Sequence, residues 1–480
     1  MNKASCLLKV SLLIICFIVT QSTFGLGKTN GYKIEVHVSN CQDTTVQLCN
    51  YYGKAGMVNI VSTKTIKKSN DVTFTFENDT AIVGGIYLIM FKNKRSQFEF
   101  ILNNGAHLQL NYNFDKPVET ASIIGSEESK QYLAYFQFLT PFNDRHMLIQ
   151  KEMALAKTAK DSSVCNDKVK ALSDEIRQYR KMCIKKFPST FMATYFTALE
   201  FTDMPKKIEN NNEQRDEFIK KHIWEFYDFT DDRLAFTPIN EGKLETYLSL
   251  TTPVADSIKL AMDLLLKKME KSKELYKFTL DWMLRAQENA KVLFADDCFI
   301  YLVENYYLKG KATWVTDSFL TSYKAKISNL ATNVIGVKAP EINIFDIKDQ
   351  ASSLQSIYTK HDYTAIIFWS PTCSHCKEEI PKLDSAFASL HRDIVIVGID
   401  AFRETEEWRK LVNESHYLNT WFHLYDAKQT SDYRKKYAVY SSPIVYLVDR
   451  NGIIVGKRFT HSNLNTLFDF LDKEKNKNKK

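Results

Sequence analysis

Two cysteines with two residues between them, Cys373-Ser374-His375-Cys376, are the part of this chain whose residue types and spacing point most directly to chemistry. A thiolate attacks a disulfide sulfur, and a second thiol one helical turn away can then break the mixed disulfide. The same spacing has other uses. Zinc normally needs a second cysteine pair, and no other two cysteines stand at this spacing. Covalent haem attachment needs histidine after the second cysteine, where this chain has Lys377. A structural disulfide remains the competing reading. Nothing in the sequence calls for a cofactor or a metal.

For exchange chemistry the first thiol must sit where its anion is favoured. The apolar run Tyr363 to Trp369 reads as a strand, and the residues from Cys373 through Leu390 read as a helix with a kink at Pro381. That order puts Cys373 at a helix N-terminus, where unpaired N–H groups and the helix dipole stabilise a thiolate. Cys373 is therefore the expected nucleophile and Cys376 the buried resolving thiol. Further apolar runs, Ile394 to Asp400, Trp421 to Tyr425, Ile444 to Val448 and Ile453 to Val455, alternate with helical segments and predict the central strands of an α/β sheet. Pro443 opens one of these strands. In such a fold the Ser442–Pro443 bond is expected in cis, facing the cysteines and offering backbone to a substrate chain. Asn451-Gly452 then makes a tight turn.

These residues resemble a known family. Gly336-Val337-Lys338-Ala339-Pro340-Glu341, the motif from Phe368 to Pro381, and Ser442-Pro443 with Val448-Asp449-Arg450-Asn451-Gly452 look like the ResA/TlpA-type thiol–disulfide oxidoreductases of bacterial envelopes, over residues 335–475. The resemblance implies a thioredoxin-like fold and catalysis by Cys373 and Cys376. It also implies a substrate surface that includes Trp369, His375, Ser442 and Pro443. In the family a glutamate three residues after the second cysteine assists proton transfer. Glu379 holds that position, as a catalytic carboxylate or as a solvated helix residue. His375 departs from the family, which often has proline there. It either stabilises the Cys373 thiolate or is simply exposed, and it leaves the direction of electron flow open, with reduction favoured. A peroxidase motif is broken by Ile366 where proline is required.

The rest of the chain must carry or present this pair. Its 480 residues predict two or three domains, and 44% apolar with 25% charged residues fits a globular protein. A net charge of +7, with acidic and basic residues interspersed, gives no support to nucleic-acid binding. Residues 1–25, with Lys3 and Lys9 before the apolar run Val10 to Val19, predict a secretory signal peptide and export to the periplasm or cell envelope. Cys16 is not preceded by the small residue that lipid attachment requires. Residues 30–118 predict a small antiparallel β domain, because Tyr32 to Val38 and Asp71 to Glu77 alternate at period two. Residues 126–330 predict a helical domain starting near Ser126, with Trp224, Phe226, Tyr227, Phe229, Trp282 and Met283 as core or as a peptide groove. This arrangement resembles multidomain exported proteins of Bacteroidetes. Without the leader, seven cysteines remain, an odd and sparse set, and Cys41 and Cys49 are open to pairing. The expected partners are disulfide-bearing envelope proteins and a membrane thiol donor. The alternative is an adaptor whose β and helical domains recruit a client to a thioredoxin-like scaffold.

Overall fold

The computed structural model describes residues 30–53, 57–92, 97–252, 254–290, 294–402, 405–415 and 418–477. The expected signal peptide at 1–25 lies outside them. Among the described residues no helix is long and apolar enough to cross a membrane.

The described residues open on eight strands: β1 (Tyr32–Cys41), β2 (Thr45–Tyr51), β3 (Val58–Thr65), β4 (Ser69–Asn78), β5 (Gly85–Phe91), β6 (Gln97–Leu102), β7 (Ala106–Asn113) and β8 (Ser122–Ile124). They form two four-stranded sheets, β4-β1-β7-β8 and β3-β2-β5-β6, packed as a sandwich around Ile34, Val36, Leu48, Ile89, Phe100 and Leu110. The sandwich is not wholly antiparallel as expected. β1 and β7 pair in parallel, because after β4 the chain crosses to the other sheet through β5 and β6 and returns along the free edge of β1 in the same direction. β1 alternates between buried and more exposed residues, as a strand with one wet face should. β5 (GIYLIMF) is buried almost throughout, because the outer face of its sheet is covered by helices. Cys41 and Cys49 are separate buried thiols. Cys41 lies in the sandwich core, while Cys49 belongs to the core shared with the helices.

Among the described residues nine α-helices follow: α1 (Glu127–Leu155), α2 (Ala159–Lys186), α3 (Phe191–Ala198), α4 (Asn212–His222), α5 (Ile239–Ser249), α6 (Ala255–Met269), α7 (Lys273–Asn289), α8 (Ala295–Leu302) and α9 (Asp317–Leu330). Ser126 caps α1 through the Ser129 N–H. The long helical pattern from Asp256 to Asn289 is divided at Ser272, whose hydroxyl accepts the Leu275 N–H and starts a new helix. Trp224, Tyr227, Trp282 and Met283 are core residues with Phe229 packed against that core, and Phe226 alone of the six is exposed.

The last domain contains β9 (Ile344–Asp346), β10 (Ala351–Ser352), α10 (Leu354–Tyr358), β11 (Tyr363–Trp369), α11 (Ser374–Ser389), β12 (Ile394–Asp400), α12 (Thr405–Glu414), β13 (Phe422–Tyr425), α13 (Tyr433–Lys436), β14 (Ile444–Asp449), β15 (Ile454–Lys457) and α14 (Leu464–Lys477). The sheet order is β10-β9-β13-β12-β11-β14-β15. β11 is central, parallel to β12 and antiparallel to β14. One face packs against α11, α12 and α14, and the other against a layer that includes Leu354, Tyr433 and Tyr437. All seven residues of β11 are buried, which explains a run with no alternation. At the β14–β15 turn Gly452 has φ +78°, and a Cβ there would strike the Tyr358 ring.

The helical and C-terminal domains are joined through a buried ion pair. Lys457, 4% exposed at the end of β15, pairs with Asp296 of α8, which Arg458 also approaches at 3.5 Å. Asn333 accepts from Lys457 and donates to the Lys436 carbonyl at 2.8 Å. Asp296→Ala leaves a buried ammonium without its counterion. We expect it to destabilise the chain by about 3–5 kcal/mol, and expect the double change Asp296→Leu, Lys457→Met to restore most of that loss in chemical denaturation.

Candidate active site

β11 ends at Trp369 in the middle of the sheet, and the chain turns through Ser370-Pro371-Thr372 before α11 begins. The turn is held locally: the Thr372 N–H donates to Ser370 Oγ at 3.2 Å, and the two hydroxyls lie 3.0 Å apart. Cys373 is the N-cap of α11. Its sulfur accepts the Cys376 N–H at 3.4 Å, the position usually served by a serine or aspartate oxygen. The Cys373 thiol also donates to the Ser442 carbonyl at 3.5 Å. That carbonyl precedes the cis Ser442–Pro443 bond, so the expected isomer is present and lies beside the nucleophile.

The two thiols occupy different electrostatic surroundings. Partial burial pushes the Cys373 thiol up, but hydrogen bonding from the Ser442 side chain, from the N–H and thiol of Cys376 and from the His375 N–H outweighs it, and the net effect holds Cys373 below the ordinary thiol value. Cys376 is 1% exposed, and burial pushes its thiol up to about 12. One sulfur is therefore accessible and readily ionised, and the other is shielded and protonated.

Glu379 follows one turn after Cys376 on α11 and is 6% exposed. It is not a solvated helix residue. Its carboxylate accepts the His461 N–H at 2.8 Å, and His461 Nδ1 lies 2.9 and 3.0 Å from its two oxygens. His461 was not visible as a site residue, because its partner is 82 positions away; only the helix-start pattern Thr460 to Asn463 marks it. His375 is exposed and supports Cys373 through its main-chain N–H.

A cleft of about 270 Å³ lies beside the pair. His375, Glu379, Ser441, Pro443 and Thr460 line one side, and Glu288, Asn289 and Ala290, from the end of α7 in the helical domain, line the other. A second hollow of about 340 Å³ reaches Cys376 between α11 and α12. The structure corrects one expectation. Trp369 is not part of an accessible substrate surface. At 2% exposed, its ring packs on Trp408 at 6.1 Å and over Gly398, where any Cβ would come within 2.9 Å of the indole nitrogen. It sits on a central strand covered on both faces, and it contributes only to the floor of the second hollow.

The sheet, the capping cysteine and the cis proline beside it define a thioredoxin-like dithiol domain. Residues 361–454 match the family described as "Thioredoxin-like", and residues 160–333 match a "Domain of unknown function (DUF5106)". The match over residues 361–454 agrees with the thioredoxin-like fold that the resemblance to ResA/TlpA-type proteins implied. None of the curated proteins matches the chain. Among solved structures, a thioredoxin-like protein from Bacteroides caccae is 21% identical, with 56% of this chain and 97% of that one covered and a TM-score of 0.43. A domain of a possible thiol-disulfide isomerase from Cytophaga hutchinsonii is 29% identical, with 31% and 97% covered and a TM-score of 0.27. The thioredoxin domain of a thiol-disulfide oxidoreductase from Bacteroides vulgatus is 28% identical, with 29% and 98% covered and a TM-score of 0.26.

The depressed Cys373 thiol sets a pH test. A lowered value means that the thiolate persists to lower pH, so iodoacetamide should label Cys373 half-maximally below the pH that a free cysteine requires. Cys376 should stay unlabelled through neutral pH. Peptide mapping after pulses between pH 5 and 10 measures both.

Proposed function

We propose that this chain is an exported thiol–disulfide oxidoreductase that reduces or exchanges disulfides in envelope proteins, with Cys373 as nucleophile. The observation that carries this reading is the pairing of an N-capping, ionisable Cys373 with a buried Cys376 whose thiol is pushed up to about 12. Export rests on the leader-like pattern of residues 1–25.

In the reductive direction, the Cys373 thiolate attacks one sulfur of a substrate disulfide. A Cys373–substrate bond forms, and the other substrate sulfur leaves as a thiolate. Cys376 then gives up its proton and attacks Cys373 Sγ. The intramolecular disulfide forms, and the substrate's second sulfur leaves. The pair has lost two electrons and the substrate has gained them. An external dithiol, of the kind a membrane thiol donor supplies, must return them.

Holding Cys376 at about 12 rather than near 9.0 disfavours its thiolate by on the order of 4 kcal/mol, so the second step needs a base. Glu379 is the candidate, one turn away on the same helix, and His461 holds its carboxylate in place. Substrate backbone is received at Ser442 and Pro443, beside the nucleophile.

Three substitutions test this reading. Cys373→Ser should reduce insulin reduction to background. Cys376→Ser should accumulate mixed disulfides visible on non-reducing gels. Glu379→Gln should leave the first attack intact and slow resolution by about a hundredfold. Reductase activity surviving in the double cysteine-to-serine variant would contradict the assignment.

A further inference from the structure

The cleft beside Cys373 has a wall that the thioredoxin-like domain does not supply. Glu288, Asn289 and Ala290, at the C-terminal end of α7, face His375, Ser441 and Pro443 across it. A neighbouring hollow of about 240 Å³ shares Glu288, Asn289 and Arg458 with this cleft and extends past Asn329 to Tyr440. Shared lining makes the two one trough, running from His375, Ser441 and Pro443, which neighbour the reactive cysteine, along the joint between the domains. We propose that the helical domain is the second wall of the substrate site, and that this trough holds the extended polypeptide on one side of the substrate cysteine. The proposal rests on the redox reading above and names the part of the substrate that the helical domain recognises.

The position of the sulfur argues for that occupant. The Ser442 carbonyl is 3.5 Å from Cys373 Sγ, and its neighbours Ser441 and Pro443 line the trough. A substrate sulfur bonded to Cys373 begins about 2 Å from that atom, so the trough lies open to the chain leaving it on this side. The charges argue for an uncharged segment. Each lining carboxylate already has a partner within the protein: Glu288 pairs with Lys326, Asp296 with Lys457 and Arg458, and Glu379 is held by His461. What the trough presents besides these pairs is uncharged: amide, hydroxyl, aliphatic and aromatic groups. Asn289 is exposed at the end of α7, with its side-chain NH2 donating to the Arg285 carbonyl at 2.9 Å, and Tyr440 is 68% exposed. An extended neutral peptide, with backbone to hydrogen-bond and apolar side chains to lay on a phenol ring, matches that lining. The wall is also fixed in place, because the buried Lys457–Asp296 pair and Asn333 tie the helical domain to the end of β15 next to the trough.

The test compares two substrates on the full chain. One is the small disulfide DTNB. The other is a linear, uncharged dodecapeptide whose central cysteine carries thionitrobenzoate, so that both reactions release the same chromophore. Asn289→Trp should lower kcat/KM for the peptide at least tenfold relative to that for DTNB, with the change in KM. Tyr440→Ala should lower the same ratio at least threefold. Both side chains are exposed, and far-UV circular dichroism checks that each variant is folded. An unchanged ratio in both variants, with the wild-type chain active on both substrates, overturns the groove alone. A wild-type chain that fails to reduce DTNB overturns the redox reading, and the groove falls with it.

Discussion

α11 begins with a cysteine where most helices carry an oxygen-bearing cap, and the site depends on that choice. A good N-cap oxygen contributes about 1 kcal/mol to its helix. A sulfur accepting the Cys376 N–H at 3.4 Å is a weaker cap as a thiol and a better one as a thiolate, because the N–H groups at the helix start face an anion. The fold thus converts unsatisfied backbone donors into stabilisation of one ionisation state. Cys376, one turn later, points into the core between the sheet and the helix, where burial outweighs the hydrogen bonds that Ser442 and the Ser370 backbone offer it. Three residues of sequence separation suffice to shift two identical side chains in opposite directions.

That arrangement holds only if the helix start is fixed relative to the sheet. β11 does this by being buried on both faces and paired on both edges, so that the turn at Ser370 leaves the sheet from a rigid base. β14, the antiparallel neighbour, brings Pro443 to the same end. The remaining wall arrives from outside the domain, held by an ion pair that would be costly to leave half-made. The β sandwich in turn shares one apolar core with the helices through β2, β5 and β6, so all three units are mechanically connected.

Much of this was legible in the sequence. The apolar runs from Tyr363 and from Ile394 predicted β11 and β12 to the residue, because strands buried on both faces leave no alternative to continuous hydrophobicity. The cysteine spacing and the strand-to-helix order placed Cys373 at the helix start, and Pro443 announced itself by opening a strand. Short pieces were not legible: β9 and β10, of three and two residues, carry no periodicity. Partnerships across long separations were also hidden. Nothing near Glu379 indicates that His461 will grip it, and nothing near Asn289 indicates that α7 will end beside the thiol. Trp369 was misread because the resemblance grouped it with the substrate surface, whereas the doubly covered strand makes it core.

The most direct test of the account is a redox titration of the wild-type chain in glutathione buffers, with the Cys373–Cys376 disulfide quantified by mass spectrometry after acid quench and alkylation. The account predicts a single two-electron transition, within the span of roughly −270 to −120 mV found for thioredoxin-fold dithiols. If both thiols remained unbridged under fully oxidising conditions, or became oxidised independently of one another, the account would be contradicted.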